Sequence, residues 1–135
     1  MSAHRVSLVV VLFAALGAGA LRAQTSAPAA WQAAPASVLK TALRNALAAQ
    51  ERYYAAKETY APSAEALGFR AEAGVRVDIL VATASGWQGR ATHQTQPGRS
   101  CVVFVGSLDG AEAPRTDGDH EMAGEEGIPL CDRMR

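Results

Sequence analysis

No HExxH pair, no CxxC and no GxSxG elbow occurs in the 135 residues. Patterned zinc hydrolysis, a thiolate zinc site and a serine nucleophile elbow therefore lack their residues. Charge of one sign is missing too, since 13 Lys+Arg face 13 Asp+Glu for a formal net charge of +0. Dedicated binders of nucleic acid or anionic membranes usually carry a basic surplus, and its absence argues against that class here. Cysteine is nearly absent, with Cys101 and Cys131 the only two. The longest apolar run, Val6–Leu16, falls short of the roughly 20 residues that span a bilayer.

What is present begins with an address. Met1–Arg5 carries one Arg, Val6–Leu16 is almost wholly apolar, and the small residues of GAGALRA follow. That order reads as a secretory signal over residues 1–23, with cleavage after Ala20 or Ala23; the alternative is a retained membrane anchor, which the short apolar run and the closely following Arg22 disfavour. Its removal takes Arg5 and Arg22, so Lys+Arg falls from 13 to 11 against 13 acidic residues. About 112 residues then remain, enough for one domain with a modest core and no retained membrane span. Two cysteines in an exported chain are candidates for a disulfide, Cys101–Cys131. Such a bridge would stabilise by about 3–4 kcal/mol in the chain-entropy model. The expected location is the periplasm or the medium.

Residues 24–36 are rich in Ala and Pro without a period and read as an extended leader, with Trp31 its one sticky residue. Residues 37–135 form the expected domain. Ser37 is a candidate N-cap for a long amphipathic helix. Leu39, Leu43, Ala46, Leu47, Gln50, Tyr53, Tyr54 and Lys57 share one side of a 3.6-residue wheel, while Lys40, Arg44, Asn45, Glu51, Arg52, Ala55 and Glu58 share the other. Gln50 sits inside the apolar stripe, where a buried amide must find partners. Ala61-Pro62 is expected to end the helix. Ser63–Leu67 then suits one capped turn closed by Gly68.

Val75, Val77, Ile79 and Val81 alternate with Arg76, Asp78, Leu80 and Ala82, the period of a half-buried strand. Ser85-Gly86 marks a turn, Trp87–His93 a second strand weakened by Gly89, and Gln96-Pro97-Gly98-Arg99 another turn. Cys101–Val105 is the most apolar strand. The expectation is an α+β fold, with one long N-terminal helix packed on a three- to four-stranded antiparallel meander and a C-terminal disulfide-closed loop.

In this order the residues carry a resemblance. Within 43–67 stand Leu43-Arg44-Asn45-Ala46, Ala49-Gln50-Glu51, Tyr53-Tyr54-Ala55, Thr59-Tyr60, Ser63 and Leu67. They precede an alternating strand, Ser85-Gly86-Trp87, Gly89–His93 and Cys101-Val102-Val103. The chain resembles the globular heads of type IV pilins and type II secretion pseudopilins. The resemblance implies a helix on a meander sheet, with Gln50, Glu51, Tyr53 and Tyr60 in its helix and post-helix motif. It also makes Cys101–Cys131 the loop cystine and a secretion or pilus component the protein partner. Family members begin with a short basic leader and a Phe-Thr-Leu-Ile-Glu type site on an uncleaved hydrophobic helix. No such stalk motif occurs here, so the chain resembles a head without its polymerising stalk.

For chemistry, His93 and His120 stand in no metal or triad spacing, and no catalytic residue is assigned. Asp117, Asp119 and Glu121 are candidate Ca²⁺ donors on a Gly-containing loop, although the 12-residue calcium pattern is missing. Pseudopilin heads hold Ca²⁺ near this loop, so the resemblance points the same way. Arg90, Arg99, Arg115, Arg133 and Arg135 are scattered without aromatic interleaving and read as a solvated face, with no nucleic acid expected. The expected function is a non-enzymatic, exported structural or protein-interaction domain. The alternative is an exported module binding Ca²⁺ or a small ligand.

Overall fold

The computed structural model describes residues 36–135. The expected signal peptide and residues 24–35 of the leader lie outside the described residues. Helix α1 spans Ala36–Lys57, so Ala36 is helical and Ser37 lies exposed within the helix rather than capping it. Leu39, Leu43, Ala46 and Gln50 are buried as the stripe requires, and Ala42 and Ala49 join them. Tyr54 and Lys57, expected on the same side, are exposed. The alanines remove bulk from the buried face, which lets the helix axis lie close to the sheet.

The helix ends before Ala61-Pro62. Glu58 turns to a positive φ of 55° and donates its N–H to the Tyr54 carbonyl at 2.8 Å, a left-handed stop. Gln50 then holds the returning chain. Its Oε1 accepts the Ala61 N–H at 2.8 Å and its Nε2 donates to the Ala61 carbonyl at 2.9 Å. The amide buried in the stripe is thus satisfied on both sides. Beyond it, Ser63 caps the short helix α2, Ala64–Leu67, and Gly68 closes it at φ 64°.

Four strands follow: β1 Val75–Ala82, β2 Gly86–His93, β3 Ser100–Gly106 and β4 Leu130–Cys131. They pair antiparallel in the order β1-β2-β3-β4. The register aligns Val77, Ala91, Cys101 and Cys131 in one row and Ile79, Gly89 and Val103 in the next. These rows face α1 and join Leu39, Leu43 and Trp87 in one core. A large apolar side chain buried in such a core is worth about 1.5–3 kcal/mol.

Two details depart from simple alternation. Pairing jumps from Ile79↔Gly89 to Val81↔Gln88, leaving Leu80 as an extra residue. This bulge turns Val81, expected inside, to 36% exposure and brings Ala82 opposite Trp87. β2 runs unbroken through Gly89. A Cβ there would meet the Trp87 ring at 2.6 Å, so the missing side chain is the space that the indole occupies.

The chain is therefore α+β, with a four-stranded antiparallel sheet and a Cys101–Cys131 disulfide. The two cysteines sit directly opposite on β3 and β4, with Cα atoms 4.0 Å apart. Among the described residues no helix is long and apolar enough to cross a membrane.

Candidate functional site

The outer face of the sheet carries Arg76, Thr92 and Ser100 in one row, then Asp78, Arg90, Val102 and Leu130 in the next. Residues 107–129 return over the β3 side of this face, where Ser100 and Val102 have no exposed surface. This disulfide-closed segment is the candidate site, and it is held mainly by polar contacts.

Asp132 is their centre. It is 2% exposed, and its Oδ2 accepts the N–H groups of Ser100 at 2.8 Å and Gly118 at 2.9 Å. Its Oδ1 accepts the Asp119 N–H at 2.6 Å. Burial pushes this carboxyl up, but the Thr116 hydroxyl and the amides of Asp119, Ser100 and Gly118 together hold it below the usual carboxylate range. Ser100 completes the tie. Its carbonyl accepts the Asp132 N–H at 2.9 Å, and its Oγ accepts the Asp117 N–H at 2.8 Å.

The acidic run reaches arginines from the sheet and the tail. Asp119 Oδ1 accepts from Arg99 Nη1 at 2.8 Å, while Oδ2 accepts the Arg133 N–H at 2.8 Å. The Arg133 amide lowers this carboxyl, burial opposes it, and the Arg99 guanidinium adds to the lowering. Arg90 lies between Asp117 at 3.3 Å and Asp78 at 3.4 Å. Glu121 is exposed. The structure thus brings Asp117 and Asp119 to arginines, and a cation bound there would first displace a guanidinium. Among the described residues no group of three His, Cys, Asp or Glu side chains could hold a metal ion.

Of the arginines expected on a solvated face, Arg90 and Arg99 are partly buried in these ion pairs. Arg115 donates to the His120 carbonyl at 3.2 Å, and Arg135 is held through its backbone by Gln96. His93 Nδ1 accepts the Thr95 N–H at 3.1 Å, while His120 stands exposed at a positive φ of 57°. Both cysteines are oxidised, so neither supplies a thiolate.

The segment's tip is a small hairpin. Arg115 and Met122 form an isolated bridge, Thr116 N–H donates to the Glu121 carbonyl at 2.9 Å, and Ala123 N–H to the Pro114 carbonyl at 2.9 Å. Outside this frame stand Met122 at 46% and Ile128 at 56% exposure. The arrangement can present apolar side chains on a fixed backbone. Its buried carboxylate has its oxygens occupied by donors, which suits anchoring rather than proton transfer. Asp132 escapes sequence reasoning, because most of the groups it holds are backbone amides that every residue carries, and Thr116 because its hydroxyl serves that hidden carboxylate.

Neither a protein-family model nor a curated protein sequence matches the chain.

Proposed function

We propose that the chain is an exported, non-enzymatic head domain of pilin or pseudopilin type that displays its disulfide-closed segment to a protein partner in a secretion or pilus system. The observation that carries this reading is that segment. Asp132, Asp119 and the cystine fix its backbone, while Met122 and Ile128 remain exposed. Ordering before binding reduces the entropy lost on association, the usual advantage of a preorganised interface. The element order supports the same reading: a long helix, a short connector, an antiparallel sheet and a cystine-joined last strand. The disulfide fits an oxidising compartment and hence an exported chain.

The test is photo-crosslinking in intact cells, with the reactive group placed at Met122, at Ile128, or at the exposed Ala48 of α1. Discrete adducts from the first two positions and none from Ala48 are expected. Equal labelling at all three positions, or none at any, rejects the reading. Added Ca²⁺ distinguishes the binding-module alternative: for a display domain, the melting temperature is the same in calcium and in chelator.

A further inference from the structure

The returning segment covers only part of the sheet's outer face, and a groove of about 520 Å³ remains at the other end. It lies over the start of β1 and the end of β2, bounded by the turn at Gly98 and Arg99. We propose that this groove binds an oxyanion (phosphate, sulfate or carboxylate), free or carried on a larger molecule. The proposal goes beyond the display function and does not rest on it.

Arg76 supplies the recognition. It shares the outer face with its register partner Thr92. Its Nε donates to Asp78 Oδ1 at 2.8 Å, which orients the guanidinium while leaving both terminal amino groups without a partner among the described residues. A guanidinium fixed by one edge and open at the other is suited to paired donation to an oxyanion. Thr92 adds a hydroxyl and Gln94 an amide on the same lining. His93 closes the end, its Nδ1 held against the Thr95 N–H and hydroxyl.

No acidic residue lines the groove. Of the nearby carboxylates, Asp78 is committed to Arg76 Nε and Arg90, and Asp119 to Arg99, while Glu65 acts on Arg76 from a neighbouring hollow outside the groove. Arg99 contributes to the wall but spends its Nη1 donor on Asp119. An entering cation would meet a surface rich in donors. An entering anion would meet an open fork, a hydroxyl and an amide.

The test is an NMR titration of the oxidised full chain with sodium phosphate, phosphoserine and succinate, each at constant ionic strength maintained with chloride. Saturable shifts at the Arg76 Nε–H and at the Thr92 and Gln94 amides are expected. Arg76→Gln should weaken binding by about tenfold or more with little change in melting temperature, because the side chain is exposed and the surface ion pair with Asp78 lost with it contributes little. Thr92→Val should weaken binding less, and Arg70→Gln, an exposed arginine outside the groove, should not change it. Stronger binding of phosphate and phosphoserine assigns a tetrahedral ligand, and stronger binding of succinate a carboxylate. Shifts that track chloride alone, or undiminished binding in Arg76→Gln, overturn the proposal.

Discussion

On the inner face of the sheet, Leu39, Leu43 and Trp87 are fully buried with Ala91, Cys101 and Val103 in an apolar layer. On the outer face, Ser100 and Val102 are equally buried, yet the chain above them is held by Asp132, Asp119 and Arg99. Apolar burial has little directionality and is indifferent to pH, so its loss scales with volume removed. A carboxylate receiving several N–H groups is directional and titrates, so its loss follows geometry and protonation. Equal burial on the two faces thus predicts different failures.

The largest effect should come from the inner face. Trp87→Ala removes the largest fully buried side chain among the described residues and leaves a cavity above Gly89, at an expected cost of about 3–5 kcal/mol. The loss should be the same at neutral and mildly acidic pH in denaturant unfolding followed by circular dichroism. A cost that varied strongly across that range would tie Trp87 to a titrating network and erase the contrast.

Asp132→Asn comes next and breaks the outer face. Both carboxylate oxygens face N–H donors, so an amide of the same shape places an NH₂ against at least one of them. The expected cost at pH 7 is about 2–3 kcal/mol. Because Asp132 and Asp119 are held below the usual carboxylate range, their stabilisation is complete above the unfolded-state pKa of about 4. It disappears as pH falls through the lower folded-state values. The wild type should therefore lose stability below about pH 4, and Asp132→Asn should lose less over the same interval. Parallel acid profiles for the two proteins would contradict the assigned role of Asp132.

This difference also explains what could be read in the sequence. The inner face announced itself by period: the α1 stripe, the alternation of β1 and the apolar run of β3 all fall within short windows. Misreadings there have local causes. Val81 turns outward because one bulged residue reverses the alternation, and Ala42 and Ala49 carry no signal because alanine suits either face. On the outer face the partners lie far apart in the chain. Asp117 meets Arg90 across 27 positions and Asp119 meets Arg99 across 20, so the acidic run was visible without its counter-ions. The cradle of Asp132 consists mostly of backbone amides, which leave no pattern in a sequence. The disulfide was legible because only two cysteines exist to form it.

The smallest effects sharpen the comparison, because each region uses one glutamine in the same way. Gln50 holds Ala61 by its N–H and carbonyl, and Gln96 holds Arg135 by the same two groups. Ala61 has no exposed surface, whereas Arg135 is exposed. Replacing Gln50 by Leu leaves two backbone groups without protein or water, at about 2 kcal/mol. Replacing Gln96 by Leu leaves groups that water can reach, and should cost under about 1 kcal/mol. Unfolding midpoints for the two variants, measured side by side, test whether solvent access sets the value of an identical pair of hydrogen bonds. Equal costs would mean that the tail position is as closed to water as the turn after α1, and that the two faces differ less in solvent access than their exposed surfaces indicate.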